Sequence, residues 1–246
     1  GQCVRDCPVG ALTLANGKAS VRKTDVCINC FHCVAVCPSE ALTLNGVSAE
    51  KCSPEQALPK SEEIKNLLRQ RRSIRQYSPE NLTKEEIDEL VSVLSYVPTG
   101  CNARSGGFLV LRTRDEVAKL KNDLVALLKD RFATLPEFLR GPVIACTKNP
   151  DADPFFRNAP HLLVAYAKAG AVTPLEDCVA ACAYFDVLAK GCGYGSTWCG
   201  FLKMIVDAVP EAIELLGLPK GTIFYSMLFG RAAVSYQRVP PREIMI

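Results

Sequence analysis

Six of the chain's thirteen cysteines fall within its first 37 residues, and their spacing is regular. Gaps of two, two and three residues separate Cys27, Cys30, Cys33 and Cys37, and Pro38 follows directly. Three thiolates at this spacing wrap one corner of a 4Fe–4S cube, and the fourth ligates a second cluster. A zinc site is the alternative. It would require four ligands, but it would not explain the final three-residue gap and the Cys-Pro ending. The run therefore predicts bound iron–sulfur clusters.

The cysteine run has a partial second copy. The stretch CVRDCPVGALTL at residues 3–14 matches CVAVCPSEALTL at residues 33–44. Because the last cysteine of each run crosses to the other cluster, all four ligands of one cluster are present. They are Cys7, Cys27, Cys30 and Cys33. The other cluster takes Cys3 and Cys37 and needs two more cysteines. We expect a Cys-x-x-Cys pair just ahead of Gly1 in the native protein, and a protein with a single cluster is the alternative.

The bulk composition excludes several functional classes. A disulfide scaffold is another explanation for thirteen cysteines, but such scaffolds are usually small complete proteins and this chain has 246 residues. Clustered thiols that stay reduced predict a cytoplasmic protein. A formal net charge of +3 indicates no nucleic-acid partner. No apolar run reaches the roughly 20 residues of a membrane span, so no membrane partner is expected.

The chain divides at a short stretch that contains proline. Residues 53–60 carry two prolines and little periodicity, so we expect a linker there between domains at 1–52 and 61–246. In the first domain, the two ALTL copies at 11–14 and 41–44 each predict a short strand before an Asn-Gly turn.

In the second domain, predicted strands alternate with predicted helices. One helix begins at Ser61, which can act as its cap, and Thr83 opens a capping box ahead of another. Apolar periodicity predicts further helices at 115–129 and 175–190, the latter stopped by Gly191. The predicted strands are 108–112, 142–147, 160–167 and 222–230. This alternation indicates a layered α/β arrangement.

Two basic groups in the second domain have the chemistry to hold a phosphate. The stretch RRSIR at 71–75 places three guanidinium groups and one hydroxyl within five residues. Each guanidinium offers a planar fork of donors that matches a phosphate. Arg238 belongs to a second basic group near the end of the chain. A solvated basic helix end is the alternative. Glycine-rich loops at 97–107 and 191–201 would let backbone donors approach a ligand.

The order of these pieces along the chain resembles that of the nitroreductase family. Arg-Arg-Ser-x-Arg is followed by Pro-Thr-Gly-x-Asn, Asn-Ala-Pro, Gly-x-Gly-x-Gly-Ser-Thr-Trp and Leu-Gly-Leu-Pro, over roughly residues 61–246. With the cysteine runs, the chain resembles a ferredoxin–nitroreductase fusion. The resemblance implies an α+β fold, in which a small ferredoxin-like domain precedes a nitroreductase-like three-layer α/β/α domain. It also implies a homodimer with FMN at the subunit interface.

The resemblance further implies a role for the residues of each motif. Those around the FMN phosphate would be Arg71, Arg72, Ser73 and Arg238. Arg75 would lie near the flavin pyrimidine, where positive charge stabilises reduced, anionic flavin. Those that contact the flavin of the partner subunit would be Pro98, Thr99, Gly100 and Asn102. Those along the isoalloxazine ring would be Thr197, Trp198, Cys199 and Gly200, although a core position suits Trp198 equally well.

No side chain is assigned as catalytic, because flavin N5 would supply the hydride and water can supply protons. Many family members have Gln-Pro-Trp where this chain has Ala103-Arg104-Ser105, so the resemblance leaves the substrate pocket undefined. Cys101 and Cys199 lie in the flavin segments and have the chemistry of a redox thiol, but small buried cysteines are common.

These features predict an oxidoreductase. A low-potential donor, either an external ferredoxin or NAD(P)H, would reduce the 4Fe–4S clusters. The clusters would reduce FMN, and FMN would reduce a nitroaromatic or similar small acceptor. One alternative is an electron-carrier flavoprotein that serves a protein partner. Another is a different reductive chemistry on the same fold, such as dehalogenation or flavin breakdown.

Overall fold

A computed structural model of the chain describes residues 1–168 and 170–243, so 244–246 of the predicted second domain lie outside it. Contacts between residues divide the chain into two compact units. The first unit holds Gly1–Pro59 together with Cys101–Ala103, and the second unit holds the rest. Within the described ranges, no helix combines the length and the apolar character needed to cross a membrane.

The first unit contains two short helices and one hairpin. Its elements are α1 (Gln2–Asp6), β1 (Leu12–Ala15), β2 (Lys18–Val21) and α2 (His32–Ala35). The two strands pair antiparallel, with Leu12 opposite Val21. Asn16 and Gly17 both have positive φ, as the type I′ turn of a two-residue hairpin requires. The strand and turn predicted for the first ALTL copy are therefore confirmed.

The strand predicted for the second ALTL copy, at 41–44, is wrong. All four residues are described, and they contribute only an isolated bridge between Leu44 and Val47. Two residues beyond that bridge the chain enters a short 3-10 helix, Ala49–Lys51. The described residues directly after 41–44 therefore provide no second strand whose backbone could pair with this segment.

The second unit is a four-stranded sheet flanked by helices. Its elements in chain order are α3 (Ser61–Gln70), α4 (Lys84–Ser92), β3 (Gly106–Leu111), α5 (Arg114–Asp130), α6 (Glu137–Lys148), β4 (His161–Ala167), α7 (Pro174–Gly191), β5 (Gly195–Trp198), α8 (Gly200–Ala208) and β6 (Ile223–Gly230). Connecting 3-10 segments include Val93–Tyr96, Phe132–Thr134 and Pro210–Leu216. The strand order is β3-β4-β6-β5, and each neighbouring pair is antiparallel.

The sheet is covered on both faces, which produces three layers. Leu162 and Val164 of β4 pack in a core with buried residues of α5, α6 and α8. Leu163 and Ala165 alternate with them and pack in a second core with α4 and α7. Because successive side chains of a strand point to opposite faces, β4 is buried at nearly every position. The α+β class with α/β/α layers is confirmed, and the sheet is antiparallel throughout.

One predicted strand is a helix. The apolar run at 142–147 lies inside α6. The buried residues of α6 are Leu139, Val143 and Cys146, and their spacing of four and three is helical. Periodicity alone cannot assign a short apolar run to a strand or a helix. The buried residue ahead of the run, Leu139, shows the longer helical period.

The other predicted elements are present with shifted ends. Strands predicted at 108–112, 160–167 and 222–230 are β3, β4 and β6. In the capping box, Glu86 N donates to Thr83 Oγ1 over 3.2 Å, and Thr83 N donates to the Glu86 carboxylate over 2.8 Å. Ser61 is the first residue of α3 and not its cap, which lies one residue earlier. Gly191 still belongs to α7, and the backbone turns at Gly193, whose φ is +84°.

Candidate functional site

Four cysteines of the first unit line one cavity, called here the cysteine cavity. Its volume is about 200 Å³, and its walls include the four ligands predicted for one cluster, Cys7, Cys27, Cys30 and Cys33. Apolar side chains such as Val9, Ile28 and Phe31 complete the walls. Across the described residues, no three potential ligands converge tightly enough for a single metal ion. A four-iron cube is larger than an ion and is held by four thiolates around it.

Backbone amides donate hydrogen bonds to two of the predicted ligands. Ala11 N lies 3.3 Å from Cys7 Sγ, and Ala41 N lies 3.4 Å from Cys37 Sγ. These bonds are the main reason that the pKa of both thiols is lowered. A lowered pKa favours the thiolate, which is the form that ligates metal. The last cysteine of each repeat copy, Cys7 or Cys37, thus accepts the same kind of backbone hydrogen bond. Cys3 and Cys37, the ligands predicted for the second cluster, do not line the cysteine cavity.

The second unit contains a larger cavity, called here the cationic cavity. Its volume is about 610 Å³, and three basic side chains line it, Arg72, Lys190 and Arg238. The lining residues, all of them described, include no carboxylate. The Arg72 guanidinium lies over the Tyr236 ring, 5.8 Å from its centroid. Three cations without a carboxylate in the lining suit an anionic group such as a phosphate.

Three distant segments bring these cations together. Arg72 follows the end of α3, Lys190 lies in the last turn of α7, and Arg238 lies in the tail after β6. A parallel bridge between Ser73 and Ser196 joins the segment after Arg72 to β5. Ser196 itself lines the cavity. The central sheet therefore sets the position of one wall.

The predicted phosphate residues occupy different positions. Arg72 and Arg238 line the cationic cavity, whereas Arg71 and Ser73 do not. The exposed Arg75 places its guanidinium 3.5 Å from the carbonyl oxygen of Ser73. The structure thus brings two of the four predicted phosphate residues to one cavity, and the other two do not line it.

Arg71 is held by a buried carboxylate. Its guanidinium lies 3.1 Å from Asp186, which is 3% exposed. Asp186 also accepts hydrogen bonds from Ser196 Oγ over 2.5 Å and from Trp198 Nε1 over 3.1 Å. One carboxylate of α7 therefore connects the RRSIR stretch to β5.

The segment predicted to follow the isoalloxazine ring, Thr197–Gly200, crosses from β5 into α8. The sequence predicts a loop at 191–201, and this part of it is a strand followed by a helix. Thr197 is 5% exposed, and within the described part of the chain its Oγ1 finds no hydrogen-bond partner. Half-buried Trp198 packs edge to face on Tyr225 at 5.2 Å. A buried hydroxyl normally has a partner, so Thr197 is consistent with a ligand at this segment.

The thiol of Cys199 is protected from reaction. Burial raises its pKa to about 11, and burial likewise raises that of Cys182 to about 12. A thiol reacts through its thiolate, which is scarce at neutral pH when the pKa is so high. A packing role for Cys199 is therefore favoured over a redox role.

The loop that contains Pro98–Asn102 is strained. Cys101, Asn102 and Arg104 have φ angles of 52°, 53° and 45°, a region that favours glycine. A Cβ atom on Gly100 would lie 2.2 Å from Thr173 Oγ1, so this position needs glycine. Strained backbone of this kind clusters at functional sites.

The residues of this loop make different contacts. Pro98 is exposed, and half-buried Thr99 accepts a hydrogen bond from within the loop. Asn102 belongs to the first unit, in which its amide donates to the carbonyl oxygens of Ile28 at 3.0 Å and Asn29 at 2.9 Å.

Sequence reasoning missed two residues of this site, Asp186 and Lys190. Asp186 lies on the buried stripe of α7 with Cys182, Phe185 and Ala189. A carboxylate on an apolar stripe needs polar partners, and that signal was available in the sequence. Lys190 carries no such signal, since a basic residue in the last turn of a helix is common.

The first unit holds the cysteine cavity and the α+β second unit holds the cationic cavity, an arrangement that suits an iron–sulfur oxidoreductase. It belongs to the nitroreductase family, whose model matches residues 68–231. The model of the 4Fe-4S dicluster domain matches residues 1–38. The expected fusion of a ferredoxin-like and a nitroreductase-like part is therefore confirmed.

Curated relatives match each part of the chain. A ferredoxin of Methanothermococcus thermolithotrophicus is 40% identical over 43 residues, which are 18% of this chain and 72% of the ferredoxin. An Archaeoglobus fulgidus protein, named provisionally as an NADH dehydrogenase/NAD(P)H nitroreductase, is 24% identical over 167 residues. That match covers 68% of this chain and 83% of the relative.

Solved structures share the fold of the second unit. A Bacteroides fragilis nitroreductase with bound FMN has a TM-score of 0.60 at 19% identity, covering 75% of this chain and 98% of the other. A Desulfitobacterium hafniense nitroreductase with bound FMN has a TM-score of 0.57 at 20% identity, covering 75% and 97%. Identities this low show the fold alone.

Proposed function

We propose that this chain is an iron–sulfur flavoprotein oxidoreductase. It passes electrons from a low-potential donor through 4Fe–4S clusters to FMN, and on to a nitroaromatic or similar small acceptor. The observation that carries the proposal is the cationic cavity, because three cations without a carboxylate in the lining fit a cofactor phosphate in a nitroreductase-family unit. Two relatives of the same fold are described with bound FMN.

The residues of the second unit fit a bound FMN. Arg72, Lys190 and Arg238 would hold the phosphate, since charge-assisted hydrogen bonds to phosphate are strong. Thr197 Oγ1, which is buried and has no hydrogen-bond partner among the described residues, would gain a partner from the flavin. When bound, FMN couples one-electron donors to two-electron acceptors.

The other predicted flavin residues remain predictions. Arg71 and Ser73 would support the phosphate side, and Arg75 would place positive charge near the pyrimidine. Trp198, Cys199 and Gly200 would lie along the ring. In the proposed homodimer, residues 98–102 would contact the flavin of the partner subunit.

The residues of the first unit fit an iron–sulfur cluster. Cys7, Cys27, Cys30 and Cys33 surround one cavity and would ligate one cube. The amide hydrogen bond to Cys7 supports its thiolate form. Cys3 and Cys37 would ligate a second cluster. The domain boundaries around a linker at 53–60, and the cytoplasmic location, also remain predictions.

Separate observations support two electron donors and a second acceptor. The name of the Archaeoglobus relative supports NAD(P)H as a donor, and the ferredoxin-like unit supports an external ferredoxin. An iodotyrosine deiodinase bound to FMN and 3-iodo-L-tyrosine has the same fold, with a TM-score of 0.54 at 18% identity. The structural match covers 74% of this chain and 97% of the deiodinase chain. Dehalogenation therefore stays the second candidate.

The test is anaerobic purification, with iron, acid-labile sulfide and flavin counted per chain. We expect one FMN, with about four irons for one cluster or eight for two. The reduced protein is then mixed with a nitroaromatic, with 3-iodotyrosine and with no acceptor, and flavin reoxidation is followed.

Fast reoxidation by the nitroaromatic would support the reductase. Iodide release would support the second candidate, and reoxidation only by a protein would support an electron carrier. Protein without flavin would refute the proposal.

A further inference from the structure

Among the described residues of the second unit, Asp186 is the one buried carboxylate. It lies in α7, is 3% exposed, and does not line the cationic cavity. Arg71 reaches it from the end of α3, while Ser196 and Trp198 reach it from β5. A buried charge is costly unless it is paired and hydrogen-bonded, and Asp186 has three such partners.

Arg71 keeps donors free after pairing with Asp186. A guanidinium has five N–H donors in a rigid fork, and the contact with Asp186 is made by Nη1. The Arg71 side chain is 27% exposed, so part of the fork faces outward. One edge of the guanidinium is thus fixed inside the protein while the rest stays available to a ligand.

We propose that Asp186 is a positioning residue of the FMN site. It holds Arg71, which lies outside the cavity lining but next to Arg72, and it also binds Ser196 of that lining, so that the outward-facing donors of Arg71 can reach the phosphate. It also ties Arg71 to Trp198 of β5. The inference rests on the proposed function. A side chain that is already immobilised loses less entropy on binding, so the effect of Asp186 appears in affinity for the phosphate.

The first test compares FMN with riboflavin, which lacks the phosphate, on flavin-depleted full-length protein. In Asp186→Asn we expect FMN affinity to fall roughly threefold to tenfold, with riboflavin affinity much less changed. The control is Asp207→Asn, because Asp207 is an exposed acid of α8 that pairs only with Lys203 among the described residues. An unchanged FMN-to-riboflavin ratio, or tighter FMN binding from a released Arg71 charge, would overturn the proposal.

The second test uses Trp198, the single tryptophan of the chain. Because its Nε1 donates to Asp186, Asp186→Asn should shift its fluorescence emission in flavin-depleted protein, and Asp207→Asn should not. In an Arg71→Gln background, Asp186→Asn should leave the FMN-to-riboflavin ratio unchanged, because Asp186 acts on the phosphate through Arg71. Additive effects of the two substitutions would refute that route.

The outcomes separate this inference from the proposed function. If the unaltered protein shows no preference for FMN over riboflavin, the proposed phosphate site fails. If it shows the preference and Asp186→Asn retains it, only the positioning role fails. Asp186→Glu keeps the charge and serves if the Asn variant does not fold. If neither variant folds while Asp207→Asn does, Asp186 acts on stability alone and the proposal is refuted.

Discussion

The two units of this chain differ in how much of themselves they bury. In the first unit, all of whose residues are described, the buried hydrophobic residues are Cys3, Ala11 and Val34. The second unit has a core on each face of its sheet. A domain of about 60 residues buries too little surface for a wide margin of stability, and cluster binding can supply folding free energy. We infer that the first unit depends on its clusters to stay folded, whereas the second forms its site before the cofactor arrives.

The largest expected effect is the loss of a cluster. Cys33→Ala removes one of the four cysteines around the cysteine cavity, so we expect that cluster to be lost and the first unit to unfold. Iron analysis should show about four irons fewer per chain. Limited proteolysis with mass spectrometry should show cleavage within 1–59 while the second unit stays intact.

Cys52→Ala is the matched control for this cluster prediction. Cys52 belongs to the same unit, is exposed, and does not line the cysteine cavity. It should leave both the iron content and the proteolysis pattern unchanged. A Cys33→Ala protein that loses iron and yet resists the protease would show that the first unit folds without its cluster, and the contrast between the units would disappear.

A smaller effect is expected at the cationic cavity. Lys190→Ala should raise the dissociation constant for FMN about tenfold, or ~1.4 kcal/mol, because one of the three cations that line the cavity is lost. Thermal unfolding of the flavin-free protein should barely change. Lys148 also lies in the last turn of a helix, α6, so Lys148→Ala controls for the interaction with the helix dipole. Equal FMN affinities in the two variants would remove Lys190 from the site.

The smallest effect concerns the pH dependence of the second unit. His161 is buried, and burial lowers its pKa to about 4 from about 6.5. Between these two pH values His161 is protonated in the unfolded chain but not in the folded chain. The free energy of unfolding should therefore fall as pH drops from about 6.5 to 4. The loss from this group is at most roughly 3 kcal/mol. Denaturant unfolding followed by Trp198 fluorescence would measure it.

His161→Gln should flatten that pH dependence. His32, the other histidine of the chain, is exposed and lies in the first unit, so His32→Gln should leave the slope unchanged. If both variants keep the slope, carboxylates and not His161 set the acid stability of the second unit.

Sequence reasoning succeeded where the decisive partners are close along the chain. The spacing of Cys27, Cys30 and Cys33 is a local pattern, and the structure places all three at one cavity. β4 and β6 were predictable because their apolar runs are long. The run inside α6 was too short to show its period, so it was predicted as a strand.

Sequence reasoning failed where distant segments meet. Lys190 lines the cationic cavity from the end of α7. No pattern near Lys190 in the sequence indicates that Arg72 and Arg238, from two other segments, line the same cavity. The contact of Asp186 with Arg71 depends on how α7 packs beside the end of α3, which no local pattern encodes. The second ALTL copy was predicted as a strand because its sequence repeats the first copy. Among the described residues it has no neighbouring strand to pair with and forms only an isolated bridge.

The buried thiols of the second unit have a consequence for how the protein matures. Burial raises the pKa of the four buried cysteines there, which are Cys146, Cys178, Cys182 and Cys199. These groups offer almost no thiolate to incoming iron or to an oxidant. In the first unit, hydrogen bonds to Cys7 and Cys37 favour the reactive form. Once the second unit has folded, its four buried thiols therefore do not compete with the thiols of the first unit for incoming iron.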